Sequence, residues 1–243
     1  MTTDRVAVVS GAGGGIGAAI VADLVATGWA VVGLVRRIPE APVDDVDYRL
    51  CDVSDTSSVD SVFAGVRETY GRIDGLVTSA AILRTAPLHR MDDELWEDVI
   101  DVNLGGVFRC CRAVLPTMIE QRRGSIVNLS SVHAVATVPG TGAYAASKGA
   151  IVSLSRQLAV EYADEGIRAN SVVIGSVDTK MSEEHGRALA RDSVHVDPPE
   201  GAVGRMAAPA EIARAVRFLL SDDASFVTGA AMTVDGGLTS RLM

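Results

Sequence analysis

The sequence predicts an α/β fold in which helices cover both faces of a doubly wound parallel sheet of about seven strands. Short runs rich in Val and Ile alternate along the 243 residues with longer segments of helical periodicity. Strands that alternate with helices form right-handed βαβ units, and their parallel strands are buried on both sides. A chain of this length can bury a sizeable core as one unit, so residues 1–243 are expected to form a single domain.

The strands are expected at the Val- and Ile-rich runs, which are Val6–Val9, Ala30–Val35, Tyr48–Leu50, Ile73–Thr78, Ser125–Leu129, Ile167–Val173 and Ala231–Val234. The helices are expected at Ile16–Thr27, Ser57–Tyr70, Leu95–Glu120, Tyr144–Tyr162 and Pro209–Leu220. The least regular stretch is Lys180–Arg205, which contains "DPPEG". We expect it to be a mobile flap over the substrate.

The charge balance argues against a nucleic-acid partner. The chain has 31 acidic and 22 basic residues, and a net charge of −9 would repel a phosphate backbone. No apolar run approaches the length of about 18 residues that crosses a bilayer, and the apolar run before Ser10 is too short for a signal peptide. We therefore expect a soluble cytoplasmic protein without a membrane partner.

The three cysteines, Cys51, Cys110 and Cys111, are expected to be small buried side chains rather than disulfide partners. The four histidines are scattered, and no Cys/His spacing is typical of zinc, so no metal is expected.

A glycine-rich turn, "SGAGGGIG" from Ser10 to Gly17, follows the first predicted strand and precedes a helix. Glycines permit a tight turn, let backbone N–H groups approach a pyrophosphate and let the helix pack close to the strand. The helix N-terminus then faces the anion. The alternative is an ordinary strand-to-helix turn, which also uses glycine.

A second motif, "YAASK", places Tyr144 and Lys148 four residues apart, on one face of a predicted helix. A free tyrosine has a pKa near 10, and a neighbouring ammonium group lowers it toward the range in which it can transfer protons. The alternative is a surface pair at helical spacing. Ser131 lies thirteen residues earlier, at the end of a predicted strand, where open sheets bind ligands.

These motifs, in this order and spacing, resemble those of the short-chain dehydrogenase/reductase family in its single-domain form, over nearly the whole chain. The resemblance implies a Rossmann-like, three-layer α/β/α fold. Further matching residues are Asp52 and Val53 in "CDVSD", Asn103 in "DVNLGG", Thr179, and "TVDGG" near the end.

The resemblance implies hydride transfer between a nicotinamide cofactor and a ketone or secondary alcohol. Tyr144 would be the general acid/base, Ser131 would hold the same substrate oxygen, and Lys148 would bind the nicotinamide ribose and lower the pKa of Tyr144. Asn103 would anchor a water that links Lys148 to solvent, or would merely hydrogen-bond backbone within its helix. A non-catalytic dinucleotide-binding sensor or scaffold is the alternative function.

The same resemblance implies a set of cofactor contacts in addition to Tyr144 and Lys148. They are the pyrophosphate turn at Ser10, Gly11, Gly15, Ile16 and Gly17, the adenine contacts Asp52 and Val53, Ala80 after the fourth strand, and Val177 and Thr179 beside the carboxamide. An alternative for Asp52 is a cap of the following turn or helix, a role for which Asp55 is equally suited.

The end of the second strand, "VVGLVRRIP", bears on the choice between NAD(H) and NADP(H). An NAD-preferring site usually has a carboxylate there, but that position falls on Val35. Arg36 and Arg37 follow, and a guanidinium pairs well with a 2′-phosphate. NADP(H) is therefore favoured, with NAD(H) as the alternative if the arginines are only a solvated strand end.

The chain departs from the family pattern at two places. Thr78, Ser79, Ala80 and Ala81 replace the usual Asn-Asn-Ala-Gly, and Ile174 with Gly175 replaces a Pro-Gly pair. Hydroxyls can replace part of the hydrogen bonding of the missing asparagines.

The substrate pocket is expected to include residues from several segments, namely Ile82, Leu83, His133, Val135, Ile174, Met181 and His185. His133 is either a polar substrate contact or a solvated loop residue. The flap composition does not distinguish a sugar from a terpenoid, a steroid or an acyl thioester.

Assembly into a homotetramer, or a homodimer, is expected because Leu95–Glu120 and Tyr144–Tyr162 carry apolar and small residues on more than one face. The alternative is that these helices are buried only within one subunit.

Overall fold

Seven parallel strands form one sheet in the order β3-β2-β1-β4-β5-β6-β7. The computed structural model describes residues 5–191 and 201–240. The strands are β1 (Val6–Ser10), β2 (Ala30–Val35), β3 (Val46–Leu50), β4 (Gly75–Thr78), β5 (Gly124–Ser131), β6 (Ile167–Ile174) and β7 (Ala231–Val234). The helices are α1 (Gly15–Ala26), α2 (Thr56–Tyr70), α3 (Asp93–Ile100), α4 (Gly106–Glu120), α5 (Gly142–Glu161), α6 (Lys180–Arg191) and α7 (Pro209–Leu220). The predicted α/β class and parallel sheet are confirmed.

Alternate residues of each central strand face opposite sides of the sheet, and both sides are covered. In β1, Val8 packs in the core formed with α2, α4 and α5, whereas Ala7 and Val9 pack in the core formed with α1 and α7. This two-sided burial explains why the central strands are continuous apolar runs rather than alternating ones. The three cysteines lie buried as expected.

The strand order reverses between β1 and β4, because β2 and β3 lie on one side of β1 and β4 to β7 on the other. A crevice forms outside the carboxyl ends of the strands at such a reversal, and open α/β sheets bind their ligands there. The glycine-rich turn follows β1 directly, so it lies at this crevice.

The long helix predicted over Leu95–Glu120 is interrupted. A π-helical turn, Asp101–Gly105, separates α3 from α4. A π-helical turn inserts one extra residue into a helix, and such turns are frequent at functional sites.

The stretch predicted to be irregular forms helix α6 in its first half, and its role as a flap over the substrate stays a prediction. The hydroxyl of Thr179 accepts a hydrogen bond from the N–H of Ser182 at 3.3 Å and so caps the first turn. Lys180 and Glu184, four residues apart, add an ion pair at 3.9 Å. Positions 192–200 of the flap lie outside the described residues.

Two general findings limit the kinds of site in the described parts of the chain. Across 5–191 and 201–240 no helix is both long and apolar enough to cross a bilayer. In the same ranges no cluster of His, Cys, Asp and Glu side chains has the arrangement needed to hold a metal ion.

Candidate active site

The glycine-rich turn brings three parts of the chain closer together than any side chain would allow. A Cβ atom on Gly11 would lie 2.6 Å from the backbone nitrogen of Ala80, and one on Gly17 would lie 2.1 Å from the carbonyl oxygen of Gly11. Gly11 also has a φ of +69°. Glycine at these two positions lets α1 and the segment after β4 close on the end of β1.

Ser10 lies beneath this turn, and it does not line the cleft as the sequence predicted. Its buried hydroxyl accepts hydrogen bonds from the N–H groups of Ser79 at 3.1 Å and Ala80 at 3.3 Å. Ser10 therefore holds the segment after β4 against β1.

A cleft of about 470 Å³ occupies the crevice and collects the other predicted cofactor residues. These are Gly11, Gly15, Ile16, Gly17, Arg36, Arg37, Asp52, Val53, Ala80, Tyr144, Lys148, Val177 and Thr179. Sequence reasoning missed several further lining residues, among them Gly13, Gly14, Ser54 and Val102. The run of glycines from Gly13 to Gly15 was the signal that could have added the first two.

The cleft fits a dinucleotide. Gly14 precedes the first residue of α1, and, its chain neighbours aside, none of the described residues has an atom within 4 Å of the position that a Cβ on Gly14 would take. Backbone at the N-terminus of α1 is therefore open to the cleft, and a helix N-terminus with its N–H groups exposed is suited to a pyrophosphate. Gly11, Gly14 and Gly15 would hold that group, and Arg36 with Asp52 would face the adenosine end.

Asp52 combines the two roles that the sequence left open, namely a position in the cofactor cleft and a cap of the following turn. It lines the cleft, yet one oxygen of its carboxylate accepts hydrogen bonds from the hydroxyl and the N–H of Ser54 at 2.6 and 2.9 Å. These bonds, with the charges of Arg36 and Arg109, lower the pKa of Asp52. Asp55 caps α2 instead, accepting from the N–H of Ser57 at 2.9 Å.

Ser131, Tyr144 and Lys148 meet where β5 ends and α5 begins. Ser131 is the last residue of β5, and its hydroxyl lies close enough to the phenol of Tyr144 to lower the pKa of that phenol. Lys148 lies one turn further along α5, with Nζ 5.4 Å from the centre of the Tyr144 ring. All three side chains are buried.

Burial sets the pKa values of Tyr144 and Lys148. It raises the pKa of Tyr144 to about 12, although the nearby Ser131 hydroxyl has a smaller lowering effect, and it lowers the pKa of Lys148 to about 8. The shift at Tyr144 is opposite to the one expected from a neighbouring ammonium group. The reason is that the free-energy cost of removing a phenolate from water exceeds the stabilisation that the neighbouring groups give it. Lys148 donates instead to the carbonyl of Leu129 at 2.9 Å.

Asn103 is fully buried in the π-helical turn and does not line the cleft. Its oxygen accepts from the N–H of Ile82 at 2.8 Å, and its nitrogen donates to the carbonyl of Ile82 at 2.9 Å and to the hydroxyl of Ser147 at 3.3 Å. Its contacts are thus with another segment rather than within its own helix. They make Asn103 a positioning residue, and the water relay stays a prediction.

A second cavity, of about 660 Å³, adjoins the cleft and shares Ser131 and Tyr144 with it. Of the predicted substrate residues, Leu83, His133 and Met181 line this cavity. Ile82 and Ile174 line the cofactor cleft instead, because Ile174 is the last residue of β6 and Ile82 is tied to Asn103.

The other two residues predicted to line the substrate pocket are Val135 and His185. Val135 is largely exposed and lies outside its described wall. The side chain of His185 is outside the described part of the structure. Sequence reasoning missed several residues that do line the cavity, namely Val138, Asp178, Arg187 and Met206. No local motif marks them, since loops and α6 bring them in from distant parts of the chain.

Comparison with known proteins supports the chemistry that this geometry allows. A family model described as enoyl-(acyl carrier protein) reductase matches residues 11–239. The chain is 38% identical over 244 residues to the 3-oxoacyl-(acyl-carrier-protein) reductase FabG of Thermotoga maritima, and the alignment covers 96% of this chain and 97% of that protein.

Solved structures agree in fold as well as in sequence. The ligand-free aldohexose dehydrogenase of Thermoplasma acidophilum superposes with a TM-score of 0.90 at 34% identity, covering 99% of this chain and 96% of that one. A gluconate 5-dehydrogenase from Burkholderia cenocepacia, in complex with NADP and tartrate, gives 0.88 at 31% identity, covering 98% and 96%. The chain therefore belongs to the short-chain dehydrogenase/reductase family and is an NAD(P)-dependent oxidoreductase that transfers a hydride between a nicotinamide cofactor and a ketone or secondary alcohol.

Proposed function

We propose that this enzyme prefers NADP(H) and uses Tyr144 as the general acid/base on a small ketone or secondary alcohol. The observation that carries the role of Tyr144 is its position. Tyr144 and its partner Ser131 belong to both the cofactor cleft and the adjoining cavity, so a substrate oxygen placed between the two sites would touch them.

The proton that reduction requires is carried by Tyr144. With a pKa raised to about 12, the phenol is protonated at neutral pH, and it can donate to an oxygen that gains negative charge in the transition state. Ser131 orients that oxygen through its hydroxyl, and Lys148 lies close enough to stabilise the phenolate that forms. Oxidation of an alcohol runs the same proton transfer in reverse.

The preference for NADP(H) is supported by the end of β2. Val35 is buried and offers no carboxylate, while Arg36 and Arg37 are exposed on the cleft. Within the described residues neither arginine has a carboxylate within ion-pair distance, although Arg36 lies close enough to Asp52 to affect its pKa. A guanidinium here fits a 2′-phosphate. The gluconate 5-dehydrogenase structure, which contains NADP, is consistent with this preference.

The test of cofactor preference is the dissociation constant of NADPH and of NADH, measured by fluorescence titration of wild type and Arg36→Ala. Loss of a charge-assisted contact to phosphate should weaken NADPH binding about ten-fold or more and NADH binding much less. Arg112→Ala, on α4 and away from the cleft, controls for the change in net charge. An equal loss for both cofactors in Arg36→Ala would mean that the arginine is only a solvated strand end.

The substrate class is tested with a panel of ketones and NADPH, and with secondary alcohols and NADP⁺. Turnover of at least one class is expected. Tight cofactor binding without turnover of any class would favour the non-catalytic sensor.

We also propose that the chain assembles as a homotetramer, or a homodimer, in the cytoplasm. Exposed apolar side chains support the assembly, including Phe108 on α4, Val160 on α5 and Phe226 before β7. Covering such side chains with a second subunit would remove apolar surface from water, which favours association. Sedimentation equilibrium should give a species of four or two chains, and a monomer at micromolar concentration would contradict the proposal.

A further inference from the structure

A single arginine on α4, Arg109, joins two segments that form the wall of the cofactor cleft. Its Nη1 donates to the carbonyl of Val53 at 3.1 Å and to that of Asp101 at 3.3 Å. Its Nη2 donates to the Asp101 carboxylate, and its Nε donates to the hydroxyl of Thr56 at 3.2 Å. We infer that Arg109 is a positioning residue for the adenosine half of the cofactor. The inference rests on the predicted adenine contacts of Asp52 and Val53.

Both of the joined segments face the cleft. Val53 lines it after the end of β3, and Val102 lines it from the π-helical turn, of which Asp101 is the first residue. Arg109 itself is not among the lining residues in the described part of the chain. It therefore acts on the cofactor through the backbone that it holds, and not through direct contact.

The shape of the guanidinium group suits it to this role. The group is planar and carries five N–H donors in fixed directions, so it can bind acceptors on two segments at once. The Arg109 side chain is 16% exposed, and water has little access to these contacts. A lysine ammonium lies one bond short of the Nη atoms and occupies a single point, so it would reach only some of the same acceptors.

Two glycines in "DVNLGG" make room for this arrangement. A Cβ on Gly105 would lie 2.8 Å from Nη1 of Arg109 and 2.8 Å from the Asp101 carboxylate. A Cβ on Gly106 would lie 2.8 Å from the side chain of Val53. The start of α4 can therefore pack directly against the wall residue that Arg109 holds.

Arg112 offers a matched comparison on the same helix. It lies three residues after Arg109, and its guanidinium pairs with the carboxylate of Asp60 on α2 at 3.6 Å. Both arginines thus connect α4 with α2, but only Arg109 also holds Val53. Replacing Arg112 removes a cation and a contact between helices without freeing the wall of the cleft.

The test separates the adenosine site from the rest of the enzyme. Adenosine 5′-monophosphate (AMP) contains the adenosine group of both dinucleotides and competes with them for that site. Its inhibition constant against NADPH, or against NADH if wild type binds NADH more tightly, reports on the adenosine site. The value of kcat with a ketone at a saturating concentration of the same dinucleotide reports on the reacting end.

In Arg109→Met, the inhibition constant of AMP should rise about ten-fold, as for one lost hydrogen bond to the base, while kcat should not fall. In Arg112→Met, both values should stay as in wild type. An unchanged inhibition constant in Arg109→Met would overturn the inference. A fall in kcat by the same factor would also overturn it, since a general structural defect affects both ends of the site. If Arg109→Met does not fold, Arg109→Lys takes its place, and wild-type AMP binding there would overturn the inference.

Asp52→Ala separates the inference from the adenine contacts on which it rests. Asp52 lines the cleft itself, so loss of its carboxylate should also weaken AMP binding. If AMP binding were weaker in Asp52→Ala but unchanged in Arg109→Met, the inference alone would fail. If AMP binding were unchanged in both variants, the predicted adenine contacts would fail together with it.

Discussion

Ser131 and Tyr144 are part of the wall that the cofactor cleft shares with the substrate cavity, and the Ser131 hydroxyl is close enough to the Tyr144 phenol to lower its pKa. Both residues belong to regular elements, since Ser131 ends β5 and Tyr144 is in the first turn of α5. Two further bonds join these elements, from the Ser130 hydroxyl to the Lys148 carbonyl at 2.8 Å and from Lys148 Nζ to the Leu129 carbonyl at 2.9 Å. Proton transfer is thus placed on rigid parts of the fold.

Tyr144→Phe should lower kcat for ketone reduction by about 10²- to 10⁴-fold, because the phenyl ring keeps its shape but has no proton to give. Steady-state assays with a ketone and NADPH measure the change. Tyr162→Phe, at the other end of α5, is the matched control and should keep the wild-type rate. Equal rates for wild type and Tyr144→Phe would disprove the assignment.

Lys148→Met should stabilise the folded protein at pH 7 while it impairs activity. Burial lowers the pKa of Lys148 from 10.5 to about 8. This shift means that the charged form of Lys148 is less stable by about 3 kcal/mol in the folded protein than in water. Below pH 8 the lysine is charged in both folded and unfolded states, so wild type bears the full cost there.

The sign of the pH dependence follows from this shift. Between about pH 8 and 10.5 the unfolded state binds more protons at Lys148 than the folded state does, so the contribution of Lys148 to stability rises with pH. The stability advantage of Lys148→Met should therefore shrink across this window. Urea unfolding of both proteins from pH 7 to 10.5 measures the difference, and a constant difference would mean that Lys148 is not a buried cation.

Gly11→Ala and Gly28→Ala should differ, although both glycines have positive φ angles of +69° and +86°. Apart from its chain neighbours, no described residue has an atom within 4 Å of a Cβ on Gly28, so that change brings only backbone strain of about 1 kcal/mol. A Cβ on Gly11 would also meet the backbone of Ala80 at 2.6 Å. We expect Gly11→Ala to lower the free energy of unfolding further and to weaken NADPH binding, as urea titration and fluorescence would show. Similar losses in the two variants would argue against close packing at Gly11.

Thr78→Val should lower the free energy of unfolding by about 1–2 kcal/mol, because it removes one end of a buried chain of hydrogen bonds. The Thr78 hydroxyl donates to the Asn128 oxygen at 2.8 Å, and the Asn128 nitrogen donates to the Ser155 hydroxyl at 3.0 Å. Thermal unfolding measures the loss. Thr27→Val, at the exposed end of α1, should cost less, and an equal cost would mean that the Thr78 hydroxyl adds nothing to strand β4.

The contacts of Thr78 also answer the question raised by the missing asparagines after the fourth strand. The threonine hydroxyl joins β4 to β5 through Asn128, so a hydrogen bond between the central strands is present in this chain. The sequence could show only that a hydroxyl was available.

The strands and most helices could be predicted because their signal is local. A buried parallel strand requires a run such as the one in β2, and its predicted bounds match those observed. The π-helical turn was missed because its residues have ordinary helical character, and one extra residue does not break the pattern. Helix α6 was missed because the stretch around it was judged by "DPPEG", which begins at position 197, after the helix ends.

The residues of the candidate site likewise fall into those that local spacing predicts and those that depend on distant contacts. Tyr144, Lys148 and Ser131 were placed by spacing along single elements, and the structure brings them together. The positions of Ser10, Asn103 and Ile174 depend on contacts with backbone that is distant in the sequence. The spacing of residues along the chain does not indicate such contacts. The lining of the substrate cavity was predicted least well, since loops and α6 contribute much of it.

Through its two hydrogen bonds to Ile82, the side chain of Asn103 takes the place of the backbone of a neighbouring strand. A primary amide carries the same donor and acceptor as a peptide unit, and Asn103 offers both to one residue, as a neighbouring β-strand would. The chain after β4 thus gains one rung of a sheet ladder where no strand runs beside it. Aspartate lacks the donor and leucine lacks both groups, so among side chains of this length only asparagine can imitate a strand at this point.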